Sequence, residues 1–378
     1  MSPRLTLLSR RQFAALAAST AAAACAPRGL MTVATPPPGI DGSVVRLLVA
    51  TTRREVPEQP IFSRGRAEPT YGVFDVWVPP DRAIGSVTFP KTQPPDFATD
   101  FVTTSARRLA NQQAFVQALN RHLAENPRYE GKVNVFVHGY NTNFAEGLYR
   151  NAQLQHDYGD RTAPVHFSWP SAASTKGYVY DRESALFSRD ALESVLEAIG
   201  QSNATGINLI AHSMGAFLMM ETLRTMARTG HDRFFAKADT LLLLSPDIEI
   251  DVFRQEAPPV IARGLPIFVV VSTRDRALLI SMVIRAERTP RLGAVSSAAE
   301  IGLDDITVID LSDVDAGGGM GHFAVARSPE LIELLTGLRS QGIDVLEGER
   351  QNGILTAGLA VIQGSADILK APLEALSQ

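Results

Sequence analysis

The segment Ile207-Asn208-Leu209-Ile210-Ala211-His212-Ser213-Met214-Gly215 constrains the fold more than any other part of the chain. An apolar strand runs straight into a serine set between small residues, and a helix-forming stretch, Ala216 to Ala227, follows. A serine hydroxyl attacks a carbonyl when a sharp strand-to-helix turn presents it clear of the backbone, facing N–H groups that can hold a developing oxyanion. Strand and helix pass so closely around such a turn that the residues two before and two after the serine must be small. Here they are Ala211 and Gly215. The usual pattern has glycine at both places, so Ala211 adds one methyl group. Taken alone, the pentapeptide is equally compatible with a buried serine ahead of an ordinary helix.

The rest of the chain supplies partners in the order this architecture requires. In an α/β-hydrolase sheet the acid and then the base follow the serine at later strand ends. Three strand-like runs follow Ser213: Thr240 to Leu244, Ile267 to Ser272 and Ile306 to Leu311. Asp247 comes after the first, Asp275 after the second, and Gly317-Gly318-Gly319-Met320-Gly321-His322 after the third. Only His231 and His322 lie beyond the serine's strand and turn, and His231 precedes the next strand, which leaves His322 as the candidate base. Asp275 is the preferred acid, because the usual order puts it after the later strand, closer to the histidine loop. Asp247 is the alternative acid, and either aspartate could instead cap a helix. Upstream, Val133 to Val137 is a buried-type strand ending in His138-Gly139-Tyr140-Asn141. The loop after that strand supplies the second oxyanion donor in this fold, so the N–H groups of Tyr140 and Met214 are the expected pair. His138 and His212 read as hydrogen-bonded structural histidines beside the elbow.

Five blocks carry a resemblance: Val135-Phe136-Val137-His138-Gly139-Tyr140-Asn141, His166-Phe167-Ser168-Trp169-Pro170-Ser171, Ala211-His212-Ser213-Met214-Gly215, Ser245-Pro246-Asp247-Ile248 and Asp275-Arg276-Ala277-Leu278. In this order they resemble a bacterial α/β-hydrolase family catalogued as domain of unknown function nine hundred, over about Leu47 to Phe323. The resemblance implies a serine-hydrolase fold with a triad and implies no substrate. Ala211 agrees with the His-Ser-Met-Gly form of that family's elbow.

Length and composition fit an α/β fold of this size. With 378 residues, 45% hydrophobic and 20% charged, the chain can bury one large core. Further strand-like runs occur at Val44 to Ala50, Val73 to Val78, Val87 to Pro90 and Pro164 to Trp169, and helical periodicity at Ala106 to Ala124, Phe144 to Tyr158 and Ser184 to Ile199. Strands alternating with helices call for a mostly parallel sheet flanked by helices. Val73 to Val78 and Val87 to Pro90 are too close for a crossover helix, so the first two or three strands are expected to be antiparallel. Ser171 to Asp181, with Tyr178 and Tyr180, could wall an acyl pocket or be ordinary surface loop.

The N-terminus reads as an address. Ser9-Arg10-Arg11-Gln12-Phe13 looks like a twin-arginine export signal, and the apolar stretch Ala14 to Ala24 that follows is too short for a permanent span. Cys25, the only cysteine, excludes an internal disulfide and stands where a lipoprotein signal carries its acylated residue. The rival is cleavage near Ala24, releasing a soluble periplasmic protein. Residues 26–42, with Pro36-Pro37-Pro38-Gly39, read as a linker, 43–345 as the hydrolase domain, and 346–378 as an apolar, helical tail. Loss of residues 1–25 removes three arginines and no acid, taking the formal net charge from −4 to −7. A mildly acidic protein of this kind argues against nucleic acid as partner. The expected partners are a small-molecule or lipid ester and, through Cys25, a membrane. No zinc-type His-Glu-x-x-His, cysteine pair or phosphate loop occurs, so neither cofactor nor metal is implied.

Overall fold

The computed structural model describes residues 28–159, 161–272, 291–295, 300–303, 305–310 and 362–363. Arg10, Arg11, Cys25, Asp275, His322 and all of the C-terminal tail except residues 362–363 lie outside them. In chain order the elements are β1 (Ser43–Glu55), β2 (Phe62–Val78), β3 (Val102–Leu109), α1 (Gln112–Glu125), β4 (Lys132–Val137), α2 (Phe144–Asp157), β5 (Ala163–Ser168), α3 (Tyr178–Gln201), β6 (Gly206–His212), α4 (Met214–Thr229), α5 (Asp232–Phe235), β7 (Ala238–Leu244), α6 (Ile250–Ile261), β8 (Ile267–Val271), β9 (Ile306–Asp310) and β10 (Ile362–Gln363). The strands form one sheet in the order β10-β9-β8-β7-β6-β4-β5-β1-β2-β3. β1, β2 and β3 pair antiparallel, and every other pairing is parallel.

Alternation along β1 builds the two layers around this sheet. Val45, Leu47 and Val49 face one side and pack with Phe144, Leu148, Tyr149 and Ala152 of α2. Leu48 and Ala50 face the other, in the cluster holding Phe115 and Leu119 of α1 and Leu192, Val195 and Leu196 of α3. The central strands β5, β6 and β8 are buried along their whole length, which is why they are near-continuous apolar runs in the sequence. Each such Val, Leu or Ile contributes roughly 2 kcal/mol of transfer free energy.

Two N-terminal expectations need correction. Val87 to Pro90 is not a strand; Val87 and Phe89 serve as packing side chains, with Phe89 stacked on Tyr149 at 5.5 Å. The third strand is β3, and the helix expected from Ala106 starts only at Gln112, where Asn111 accepts a hydrogen bond from the Ala114 N–H. Within the tail, Ile362–Gln363 is a strand pairing with β9 where a helix is expected, because β9 offers it an open edge. Part of the segment read as a linker packs on the domain. Ala34 N–H donates to Thr103 O and Thr103 N–H to Thr32 O, at 3.0 and 2.9 Å. Among the described residues no helix is long and apolar enough to cross a membrane.

Candidate active site

Ser213 sits in the single-residue turn between β6 and α4 with φ 54° and ψ −120°. No L-residue adopts this conformation without strain, on the order of 1–3 kcal/mol, and it persists only where the surroundings enforce it. They do so here through the backbone: Ser213 N–H donates to Leu244 O at 2.9 Å, and Ser213 O accepts from Ala216 and Asp247 N–H at 3.0 and 3.2 Å. The close passage expected of the turn is measurable. A Cβ on Gly215 would lie 2.3 Å from His138 O and 2.7 Å from Val137 O, so α4 meets β4 there only with glycine. Ala211 is fully buried and its methyl is accommodated in the core. Ser213 and Met214 are fully buried.

The loop after β4 lies against the serine. A Cβ on Gly139 would meet Ser213 Cβ at 3.0 Å and His212 Nδ1 at 2.5 Å. His138 has its Nδ1 2.9 Å from Gly139 O and its Nε2 3.0 Å from Trp169 O, and its ring stacks on Trp169 at 4.9 Å. Burial, with Arg53 and His166 adding to it, holds the His138 pKa well below the ordinary histidine value. Buried between two backbone carbonyls and stacked on Trp169, His138 is a structural group. His166, next to it on β5, is pushed down to about 3 by burial and Arg53.

Arg53 is the unexpected centre of this loop. Fully buried at the end of β1, it donates from Nε to Ser168 Oγ (2.9 Å), from Nη1 to Ser171 O (3.2 Å) and from Nη2 to Thr142 O (2.7 Å). Burial lowers its pKa to about 10, against the attraction of Asp181 and Glu146. Asp181, in the first turn of α3, accepts from Ala172 N–H (2.5 Å), Ser171 Oγ (2.6 Å) and Asn141 N–H (3.1 Å). Burial nevertheless pushes its pKa up. Thr142 N–H donates to Ser171 Oγ at 3.1 Å. Residues 141–142 are thereby tied to the loop after β5, and Tyr140 is held from both sides. Its hydroxyl donates to Thr175 O at 2.6 Å, and its ring meets Tyr178 edge-on at 5.5 Å. Burial, with Asp181 and Tyr178, pushes the Tyr140 pKa up to about 12.

Asp247 stands on the opposite side of the elbow, after β7. Its Oδ2 accepts from Tyr178 Oη at 2.7 Å, and its Oδ1 is 3.3 Å from Nε of the fully buried Arg291. Arg291 begins a segment that runs along this turn: Leu292 N–H donates to Ile248 O, Gly293 N–H to Pro246 O, and Ser272 N–H, at the end of β8, to Gly293 O. The structure thus brings Ser213, Met214, Tyr140 and Asp247 together. Asp275 and His322 lie outside the described residues. Of the segment 171–181, residues 178–181 are the first turn of α3, where Tyr178 turns inward to Asp247, whereas Tyr180 turns away, donating to Arg64 O at 2.6 Å. Among the described residues no group of three or more His, Cys, Asp or Glu could hold a metal.

Sequence reasoning finds neither Arg53, Asp181 nor Arg291. An arginine at a strand end reads as solvated, and Asp181, at the end of a segment read as loop ahead of a helix expected from Ser184, reads as exposed. The only available signal was the cluster of Ser168 and Ser171 around Trp169.

No curated protein sequence matches the chain. Among solved structures, Aspergillus fumigatus lipase B is similar at 14% identity and a TM-score of 0.36, covering 69% of this chain. The matched region spans 65% of the lipase. A hyperthermophilic esterase from the archaeon Pyrobaculum calidifontis is similar at 14% identity and a TM-score of 0.33, covering 88% of this chain and 90% of the esterase. The family model described as alpha/beta hydrolase of unknown function (DUF900) matches residues 111–339, from the start of α1 past β9. The elbow, the loop after β4 and strands β4 to β9 fall in that span, and the chain belongs to this α/β-hydrolase family.

Proposed function

We propose that the protein is a serine hydrolase that cleaves a carboxylic ester through an acyl-enzyme on Ser213. One observation carries the reading: the strained Ser213 backbone, held against Gly139 by a glycine that nothing larger could replace, at the junction of β6 and α4. Strain of this kind persists where presentation of the side chain matters. In the proposed cycle His322 takes the Ser213 proton as Oγ attacks the ester carbonyl. The oxyanion forms beside the N–H groups of Met214 and Tyr140, in a buried environment where such donors act strongly. Collapse expels the alcohol, which His322 protonates. His322 then activates water to release the acid, while Asp275 orients and stabilises the imidazolium.

The test is turnover by the full-length protein on p-nitrophenyl esters of graded chain length, beside matched thioesters and amides. Ser213→Ala lowers ester turnover by about a thousandfold or more with folding intact. Preference for a thioester or amide moves the leaving group and keeps the triad. A folded protein that turns over none of them is a binding module on a hydrolase fold.

The same proposal extends to location. Arg10 and Arg11 direct export, and a lipidated Cys25 anchors the protein facing the periplasm, close to lipid esters. Cys25→Ala then moves the protein from the membrane to the soluble fraction. An unchanged distribution, with no acyl mass on Cys25, identifies a soluble periplasmic form.

A further inference from the structure

The start of the described chain closes over the loop expected to hold the oxyanion. Arg28 donates from Nη1 to Asn141 Oδ1 at 3.0 Å, and from Nη2 to Asn141 O at 2.9 Å and Glu146 Oε2 at 2.5 Å. Gly29 N–H donates to Glu146 Oε1 at 3.1 Å, and Asn143 Nδ2 to Gly29 O at 2.7 Å. Four to six residues on, the same strap is fixed a second time by the backbone bonds of Thr32 and Ala34 to Thr103, with Met31 packed on the α2 side of the core. Arg28 is therefore carried by a segment anchored on both the loop and the sheet edge.

Asn141 is what this contact acts on. It lies in the left-handed region at φ 55°, which asparagine tolerates better than most residues but still at some cost. Its N–H is taken by Asp181, and its carbonyl and side-chain oxygens by Arg28. Tyr140 O in turn accepts from Thr142 Oγ1 at 3.1 Å. Fixing both peptide groups of Asn141 holds the peptide on the C-terminal side of Tyr140 and so restricts the Tyr140 torsions that set the direction of its N–H.

We infer that Arg28 is a positioning residue for the oxyanion hole, acting through Asn141 on Tyr140. The inference rests on the serine-hydrolase reading. It also implies that the chain just after the export signal is part of the catalytic apparatus rather than a passive tether. The Arg28 side chain is 40% exposed and that of Glu146 22%, so the clamp is salt-sensitive and contributes little to global stability. Its effect is on geometry: a whole oxyanion donor is worth a hundredfold or more, and loosening one costs about tenfold.

The experiment compares full-length wild type, Arg28→Ala, Arg28→Lys and Arg46→Ala, the last removing an unrelated exposed ion pair to Asp75. Turnover, KM, melting temperature and affinity for a trifluoromethyl ketone, which forms a tetrahedral oxyanion on the serine, are measured for each. Arg28→Ala should lower kcat about tenfold with KM and melting temperature unchanged, and weaken the ketone by the same factor as kcat/KM. Arg28→Lys, which cannot span both Asn141 oxygens, should fall between. Ionic strength of about 0.5 M should bring wild type towards Arg28→Ala and leave that variant unmoved. Active wild type with an Arg28→Ala variant equal to it in kcat and ketone affinity, or with loss matched by Arg46→Ala, overturns the inference and leaves the triad standing. Wild type without turnover or ketone binding overturns the serine reading and the role of Arg28 together.

Discussion

The two sides of the elbow are built on different principles. On the side of β4, residues 139–142 are held by a lattice of buried polar groups, with Arg53 and Asp181 both reaching that loop and the loop after β5. On the side of β7, a single carboxylate, Asp247, is pinned by Tyr178 and Arg291. The first arrangement spreads many bonds over backbone groups and so fixes a path of chain. The second spends its contacts on one side chain, with Tyr178 at one oxygen and Arg291 at the other. A loop required to present a backbone N–H needs the first, and the second fixes the direction of one carboxylate. Asp247 ties the β7 turn to α3 through Tyr178, and the choice between Asp275 and Asp247 as triad acid rests with their two variants.

The largest effect that could break this contrast lies with the two aspartates. Asp275→Asn should keep the fold and lower turnover by about four orders of magnitude near neutral pH, because the histidine is left in the wrong tautomer. Asp247→Asn should cost far less in turnover and show itself mainly as lost thermal stability. If, of two well-folded variants, Asp247→Asn loses more turnover, the acid belongs to the earlier strand.

The next effect sharpens the β4 side. Arg53→Met fills the space but leaves Ser168 Oγ and the Ser171 and Thr142 carbonyls without their buried donor. It should destabilise by about 3 kcal/mol or more, since bonds from a charged donor are worth about 1.5–3 kcal/mol each. Chemical denaturation of the two proteins measures it, and a loss below about 1 kcal/mol would mean that the lattice is not what fixes the loop.

A smaller and pH-dependent effect lies behind the β7 turn, on α6. Burial, with Glu221 adding to it, raises the Glu256 pKa to about 8. A carboxyl raised in the folded state keeps a proton that the unfolded chain releases near pH 4.5, so stability should fall from there to about pH 8 and then level off. Glu256→Gln should remove that fall, so the variant gains on wild type as the pH rises from 4.5 to 8. Parallel stability curves for the two proteins would show that Glu256 does not titrate in this window.

How much of this was legible in the sequence follows from the same physics. Strands β4 to β9 and the elbow are readable, because fully buried parallel strands are continuous apolar runs and the tight turn demands small residues. The antiparallel edge is harder. β3, half-exposed and carrying Arg107 and Arg108, blends into the helical periodicity of α1 until Asn111 caps the helix. Arg53, Asp181 and Arg291 are illegible, since a charged side chain declares its burial only when its partners, distant in sequence, are placed around it. Val33, bridged to Thr103, shows the converse: a Pro- and Gly-rich stretch can dock by backbone bonds that composition does not announce.

The central claim is that Ser213 is an activated nucleophile, and covalent labelling tests it most directly. Full-length protein is treated with a fluorophosphonate, and the adduct is located by peptide mass spectrometry, in wild type and in Ser213→Ala. Stoichiometric phosphonylation confined to Ser213, absent from the folded variant and slowed in Asp275→Asn, is the expected result. A folded wild type that stays unlabelled, or is labelled equally when Ser213 is alanine, contradicts it.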